Sequence, residues 1–215
     1  MTKFVGQLNH DLRNHLNALE LQGAFLGEIV ENPEAKKEIK RLRELTGEMG
    51  TQLQKLSSLL AKIKVATMTY QVAEFVEDLR SRFTREQPEQ AAEVEWNISL
   101  GAEPFAIDPQ LLLEAFLHLF SNAFLHGRGE GPVVFTARSA DATIEFTLSE
   151  PKKKFEGTTE NWGAKPLGFV RHGHYGLGLF RARGIFEAHH GTIRAQFDPT
   201  TATLGTTVSL PRLVA

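Results

Sequence analysis

Three polar residues near the start of the chain, His10, Asp11 and Asn14, have the types and spacing needed to handle a phosphoryl group. On a helix, His10 and Asn14 would share one face, one turn apart, with Asp11 beside His10. A neutral imidazole attacks phosphorus well, and a carboxylate that accepts its other N–H sets the tautomer and raises its nucleophilicity. Asp11 could supply that carboxylate, and Asn14 could orient a water for the reverse, hydrolytic reaction. An exposed His–Asp pair is more often a solvated surface, so the assignment depends on the surrounding chain.

The elements that would position these residues are two amphipathic helices. Apolar residues recur at spacings of three, four and seven in two series, at residues 4–30 and 39–63, which is the helical period. Between the series, Asn32 can cap the second helix, with Pro33 in its first position. Residues 1–66 are therefore predicted to form an antiparallel helical hairpin. Its apolar surface favours a homodimer that completes a four-helix bundle, and packing onto the rest of the same chain is the alternative.

Residues 67–215 alternate between helical and strand-like patterns. The strand-like runs alternate apolar and polar residues, as expected for a sheet with one wet face. Predicted helices lie at Val72–Arg85, Pro109–His126 and Leu177–His189, and predicted strands at Val94–Leu100, Val133–Arg138, Thr143–Leu148, Thr192–Phe197 and Thr206–Leu210. Helices beside a mixed or antiparallel sheet form a sandwich, so the chain is predicted to be α+β. Residues 150–175 have no clear period and are rich in Lys, Gly and Pro, which predicts a lid-like functional loop.

Bulk properties exclude several classes of protein. The 215 residues carry a formal net charge of −2, which argues against nucleic acid as a partner. There is no cysteine, so disulfides and thiolate metal sites are excluded, and a reducing compartment is suitable. The first residues lack the apolar core of a signal peptide, and no apolar run approaches the roughly 18–20 residues of a membrane-spanning helix. We therefore expect a cytoplasmic protein with no membrane segment in this chain.

The residues from Leu8 to Leu16, Leu-Asn-His-Asp-Leu-Arg-Asn-His-Leu, resemble the H box of sensor histidine kinases. In that family, His-Glu/Asp-Leu-Arg-Thr/Asn-Pro-Leu opens a two-helix dimerisation and phosphotransfer domain. Only the proline differs, being His15 here, and that change concerns helix bending more than chemistry. The resemblance implies that His10 carries the phosphoryl group and that a response-regulator receiver domain takes it.

Residues 68–215 resemble the ATP-binding domain that follows the hairpin in these kinases and is shared with gyrase-type ATPases, heat-shock chaperones and anti-sigma kinases. The segment 108–126 looks like the N box. That resemblance implies that Asn122 holds Mg²⁺ against the phosphates of ATP, with His118 and His126 beside it in the nucleotide site. An amide oxygen is a hard ligand that suits such a cation.

A second nucleotide-binding segment, Gly176-Leu177-Gly178, looks like the glycine-rich G2 region of the same domain. Glycines ahead of a helix let the backbone approach phosphate oxygens, and the helix N-terminus favours their negative charge. Residues 204–211, which include Thr206, look like the last strand of this domain. The order of these motifs along the chain supports the resemblance more than any one of them does.

Several residues depart from the family pattern. An asparagine is usual where His118 stands, a lysine or arginine where Leu125 stands, and a glycine where His174 stands. In the G1 box, Asp-x-Gly-x-Gly, the aspartate reads the amino group of adenine. Here Glu150 takes that place, one methylene longer and on a different loop, and both glycines are missing. The lysines at 152–154 either meet phosphate or form a solvated face of the lid.

Three interpretations follow. The first is a histidine kinase with a divergent pocket, in which Glu150 reads the adenine of ATP and His10 is autophosphorylated. The intact H box, Asn122 and the G2 glycines favour it. The second is a histidine phosphotransferase with a degenerate ATP domain, which relays phosphate between receiver domains. The third is a non-catalytic dimeric scaffold. His10 would be phosphorylated either by the ATP-binding domain of its own chain or by that of the second copy. Which of the two occurs depends on the handedness of the loop at 32–35, and the sequence leaves both alternatives open.

Overall fold

The computed structural model describes residues 2–101, 103–155, 157–166 and 176–213, without the side chains of residues 2–5 and 55. The chain divides into two compact units, Met1–Lys62 and Ile63–Ala215. The first is a helical hairpin and the second a mixed sheet with helices, so the predicted α+β fold is confirmed. Among the described helices, none is long and apolar enough to cross a membrane.

The hairpin consists of α1 (Thr2–Ile29) and α2 (Pro33–Leu60). The predicted cap is confirmed, because the Asn32 side-chain oxygen accepts from the backbone N–H groups of the next helix at 2.9 and 3.1 Å, which satisfies two otherwise unpaired donors. Arg43 on α2 reaches across to Glu20 on α1 at 2.7 Å.

Each helix of the hairpin exposes an apolar stripe in the single chain. Its members are large hydrophobic side chains at helical spacing, each 42–62% exposed: Leu8, Leu12, Leu19 and Leu26 on α1, and Leu42, Leu45 and Met49 on α2. Helical spacing places the members of each series on one face. The hairpin therefore leaves much of its apolar surface unburied by its own two helices.

The second unit begins with a short strand and then alternates helices with the strands of a larger sheet. Its elements are β1 (Met68–Gln71), α3 (Val72–Glu86), α4 (Pro88–Ala91), β2 (Val94–Ser99), β3 (Pro104–Ile107), α5 (Pro109–Leu125), β4 (Val133–Ala140), β5 (Thr143–Pro151), α6 (Gly178–Ala188), β6 (Thr192–Asp198) and β7 (Thr203–Pro211). The main sheet has the order β2-β4-β5-β7-β6, in which only β2 and β4 are parallel. A separate antiparallel pair joins β1 to β3.

The core of this unit is a cluster of phenylalanines between the sheet and helices α3, α5 and α6. Phe116 on α5 lies at its centre, with ring centroids 5.1–5.9 Å from those of Phe75, Phe135, Phe146 and Phe186. Edge-to-face and tilted pairs at this spacing add to the gain from burying the rings. Because α5 supplies the central ring, its orientation on the sheet is set by packing, and so is the placement of the residues on its other faces.

The structure corrects the sequence prediction at several places. Strands β1 and β3 and the short helix α4 were not predicted, because elements of four residues carry too few positions to show a period. Strand β5 runs to Pro151, so Glu150 lies on a strand rather than on a loop, and the predicted lid at 150–175 begins later. Of that lid, residues 156 and 167–175, including His174, lie outside the described residues.

A buried histidine ties the end of α6 to the start of α5. His189 is 2% exposed; its Nδ1 lies 2.8 Å from the carbonyl oxygen of Ile185, and its Nε2 accepts from the backbone N–H of Asp108 at 2.9 Å. A carbonyl only accepts and an N–H only donates, so the partners require a neutral ring protonated on Nδ1. Asp108 in turn caps α5, because its side-chain oxygen accepts from the backbone N–H of Leu111 at 3.2 Å.

Replacing His189 by leucine is expected to lower the free energy of unfolding by about 1–3 kcal/mol, because the backbone N–H of Asp108 loses its acceptor, whereas the Ile185 carbonyl keeps the backbone N–H of residue 189 as a donor. Urea unfolding followed by circular dichroism measures the change. The matched control is His190→Asn, since residue 190 is exposed with φ of 59° and asparagine tolerates that backbone. Equal midpoints for wild type and His189→Leu would show that this tie contributes nothing.

Candidate functional site

The three residues of the predicted phosphotransfer site lie together on the surface of α1. The His10 side chain is 67% exposed, and its Nδ1 lies 3.2 Å from a carboxylate oxygen of Asp11. The Asn14 side-chain nitrogen lies 3.3 Å from the same Nδ1. Gln7 donates to the Asp11 carboxylate at 2.9 Å and holds it beside the ring. Within the described residues, His10 Nε2 has no hydrogen-bond partner.

This geometry leaves one nitrogen of His10 free to react. An ionised carboxylate only accepts, so its contact with Nδ1 favours the tautomer that carries hydrogen there. The lone pair of Nε2 then points into solvent. The contact with Asn14 suits this tautomer when the amide oxygen faces the ring, and oxygen and nitrogen of an amide exchange by a half rotation. Helix α1 continues unbroken through His15, where the kinase family has proline.

The expected nucleotide-site residues of α5 and α6 meet where these two helices pack together. His118, Asn122 and His126 recur every four residues along one side of α5, with His126 as its C-cap. A Cβ placed on Gly178, the first residue of α6, would lie 3.2 Å from His118 Nδ1, so a side chain there would require the His118 ring to shift. Gly176 has φ of +61°, a conformation that also favours glycine.

Two further observations describe this part of the site. The side chain of Asn122 is half-buried and makes no hydrogen bond to any described residue, whereas Leu177 is 1% exposed and packs into the interior. Glu114, one turn before His118, accepts from Arg181 on α6 at 3.1 Å. Among the described residues there is no cluster of three or more His, Asp or Glu side chains suited to hold a metal. A cation bound here would be coordinated by the side-chain amide oxygen of Asn122 and by oxygen atoms of the nucleotide bound with it.

The remaining expected residues, Glu150 and Thr206, lie on neighbouring strands of the main sheet. Glu150 pairs with Leu204, and Leu148 pairs with Thr206, so Glu150 and Thr206 are diagonal neighbours on one face. Both are buried, at 4% exposed each. They are therefore close to each other inside the sheet's covered face, and Glu150 does not project into an open cleft.

A lysine that the sequence analysis assigned to the lid is the partner of Glu150. Lys152 Nζ lies 2.5 Å from the Glu150 carboxylate, with side-chain exposures of 4% and 5%. The same ammonium donates to the carbonyl oxygen of His126 at 2.5 Å. The available sequence signal was spacing: positions 148, 150 and 152 are buried, alternate with less buried neighbours and continue the inward face of β5.

Burial raises the pKa of the Glu150 carboxyl above its ordinary value, and the nearby charges of Lys152 and Arg128 only partly oppose that effect. A carboxyl with a raised pKa in the folded state contributes stability that is fully present below its unfolded pKa and is lost as the pH rises through the folded value. The ion pair is thus least favourable to folding at high pH.

We expect the thermal midpoint of wild type, relative to that of Glu150→Gln, to rise as the pH falls from 8 to about 5. Glutamine keeps the shape of glutamate and cannot titrate, and all other carboxyls are common to both proteins. Calorimetry over a pH series measures the difference between the two midpoints. A difference that stays constant, or that favours the variant on acidification, would contradict the raised pKa.

An open groove of about 640 Å³ lies elsewhere on the second unit. Residues 158–162 line one side of it, and Arg183, Glu187 and the start of β6 line the other. It contains none of the expected nucleotide-site residues. The residues that the sequence predicts to bind nucleotide lie instead at the α5–α6 junction and at the end of β5.

Comparison with known proteins shows similarity at the level of structure. No family model matches the sequence, and no curated protein matches it. Full-length ShkA in complex with AMPPNP matches with a TM-score of 0.69 at 17% identity, over 100% of this chain and 47% of ShkA. The histidine kinase AdeS of Acinetobacter baumannii matches with a TM-score of 0.55 at 18% identity, over 94% of this chain and 97% of AdeS.

The histidine kinase ThkA, solved in complex with the response regulator protein TrrA, matches with a TM-score of 0.59 at 13% identity, over 98% of this chain and 61% of ThkA. The chain thus spans about half the length of ShkA. Its fold is that of histidine kinase catalytic cores, a dimerisation and phosphotransfer hairpin followed by an ATP-binding domain. The resemblance noted in the sequence is confirmed at this level.

Proposed function

We propose that this chain transfers phosphoryl groups in two-component signalling, with His10 as the carrier and an aspartate of a response-regulator receiver domain as the acceptor. The observation that carries the proposal is an exposed imidazole with Asp11 on one nitrogen and solvent on the other, on the first helix of a histidine-kinase fold. The hairpin would be the dimerisation and phosphotransfer domain, residues 1–66, and residues 67–215 the ATP-binding-type domain. Its expected setting is the cytoplasm.

The chemistry at His10 follows from the two nitrogens of the ring. Nε2 attacks the donor's phosphorus in line, so that an N–P bond forms while the donor's O–P bond breaks and its oxygen leaves with the electron pair. The ring gains positive charge, and the Asp11 carboxylate beside Nδ1 stabilises it. In the second step a carboxylate of the receiver attacks the same phosphorus and the N–P bond breaks. The exposure of His10 leaves room for both partners.

A homodimer is part of this proposal. The apolar stripes of α1 and α2 would be buried by a second copy, completing a four-helix bundle that holds two His10 side chains. ThkA was solved with its response regulator protein, which supports a receiver domain as the partner of this fold.

Two donors are compatible with this carrier. ATP with Mg²⁺ would make the chain a histidine kinase, the first interpretation of the sequence. Asn122, the close approach of Gly178 to His118, and the AMPPNP bound to ShkA support it. These residues fit the phosphate end of the nucleotide, where Asn122 would hold the metal. At the base end the residues do not fit, because Glu150 is buried against Lys152.

A phosphorylated receiver domain is the second donor, and it would make the chain a histidine phosphotransferase. The Glu150–Lys152 pair is the specific observation that favours it, since that carboxylate is not available to a base. Incubation with radiolabelled ATP and Mg²⁺, and separately with a phosphorylated receiver domain, tests the proposal. Acid-labile label from either donor establishes the carrier, and absence of label from both removes it.

A further inference from the structure

We infer that the side chain of Lys152 fills the base pocket, the space beside Glu150 in which the amino group of adenine would meet the Glu150 carboxylate. The phosphoryl donor to His10 is therefore the aspartyl phosphate of a receiver domain. The donor assignment rests on the proposed role of His10, whereas the occupied pocket stands on its own observations. Both can be measured separately.

The first observation is that an ammonium group already lies against this carboxylate. An adenine amino group would offer a neutral N–H, whereas Lys152 offers an ammonium 2.5 Å away. Charge-assisted contacts of this kind are stronger than neutral ones. With the side chain of Glu150 only 5% exposed, a second donor has no path to it. A base that displaced the ammonium would also leave a buried charge without its partner, which is unfavourable.

The second observation is that the end of β5 is covered on one edge by the loop after α5. Gly129 N–H donates to the carbonyl oxygen of Pro151 at 2.7 Å, and Lys153 N–H donates to that of Gly127 at 2.9 Å. A Cβ on Gly129 would lie 2.9 Å from the backbone carbon of Pro151, so the two segments touch. Arg128 holds the loop's shape by donating to the carbonyl oxygen of Gly129 at 3.0 Å.

The third observation concerns the other edge of the same segment. Lys152 N–H donates at 2.8 Å to the carbonyl oxygen of Ala202, in the turn before β7. Residues 151–153 are thus hydrogen-bonded on both sides. The kinase pattern has a flexible segment with glycines at the site that binds the base. Here that segment is the end of a strand, hydrogen-bonded on both edges, with the side chain of Lys152 turned inward. Opening it for a base would break three backbone hydrogen bonds together with the ion pair.

Nucleotide binding by the whole protein tests the occupied pocket. Isothermal titration with ATP and Mg²⁺ is expected to give a Kd weaker than about 1 mM for wild type. Lys152→Gly removes the occupant and is expected to bind at least about tenfold more tightly. Lys153→Gly is the matched control, since its lysine is exposed, and it is expected to bind like wild type. Circular dichroism checks that each variant is folded, and Lys152→Ala replaces the glycine variant if that one unfolds.

The outcomes separate the inference from the proposed function. Micromolar binding of ATP by wild type, or label on His10 from ATP, overturns the inference and leaves His10 as the carrier. A folded Lys152 variant without any gain also overturns it. Label from a phosphorylated receiver domain and none from ATP supports the inference and the carrier together. If neither donor labels the chain, both the role of His10 as carrier and the assignment of its donor are wrong. The titration with ATP still tests whether Lys152 fills the base pocket.

Discussion

His10→Ala is expected to abolish phosphoryl uptake, reducing acid-labile label from the active donor by more than about a thousandfold, to background. The loss is complete because alanine offers no nitrogen at position 10 to form the N–P bond. Alanine is the best helix former, so α1 remains intact. The measurement is label retained on the chain after gel separation, with circular dichroism to confirm that helix content is unchanged.

The chain offers a matched control for this experiment in His15. That side chain is exposed on the same helix, five positions further on, and it replaces the proline of the kinase pattern. His15→Ala is expected to take up label like wild type. Loss of label in His15→Ala with retention in His10→Ala would transfer the carrier role to the other histidine and contradict the proposed site.

Asp11→Asn probes how the carboxylate acts on the same reaction. Asparagine can still face Nδ1 but carries no charge, so the variant keeps the contact and loses the stabilisation of the charged ring. We expect the rate of label uptake to fall on the order of a hundredfold, the lower end of what a positioned acid–base partner supplies. Because the pair is 52–67% exposed, solvent screens much of the charge. An unchanged rate would assign Asp11 to the solvated surface.

Leu19→Glu combined with Leu45→Glu is expected to convert a dimer into monomers, weakening the dimer Kd by more than about a thousandfold. Both leucines lie on the apolar stripes and are 54% and 49% exposed in the single chain. Each would lose about 1.5–3 kcal/mol of burial and would bring a charge into the interface, twice in a symmetric dimer. Sedimentation equilibrium measures the association.

Leu21→Glu is the control for the dimer experiment. Leu21 is more exposed than any member of the stripe, at 73%, and lies two positions from Leu19, on a different face of α1. This variant is expected to remain dimeric. If wild type is already a monomer at high concentration, or if the double variant associates as wild type does, the stripe serves another contact and the proposed bundle is wrong.

The sequence predicted the parts of the molecule that repeat. A long helical period identified α1 and α2, and short alternating runs identified the strands of the main sheet, because burial on one face imposes a period on many successive residues. Strands β1 and β3 were not predicted, because they are too short to show such a period. They are four residues each, and they pair across a separation of more than thirty positions, which no local pattern records.

The candidate site was predictable where its residues are neighbours in sequence. His10, Asp11 and Asn14 depend only on helical spacing. The partner of Glu150 was missed because three successive lysines indicate a solvated surface by composition, whereas the backbone directly after β5 turns only Lys152 inward. The hydrogen bond from the backbone N–H of Asp108 to His189 could not be predicted either, since it depends on how α5 and α6 pack.

The packing of α6 depends on a residue that is close in sequence to the end of the hairpin. Helix α2 ends at Leu60, and Ile63 is the first residue of the second unit, where its terminal methyl lies 2.8 Å from the position that a Cβ on Gly184 would occupy. A side chain at position 184 would therefore have to displace Ile63. The second unit is thus complete only when its core includes a residue three positions beyond the last residue of α2.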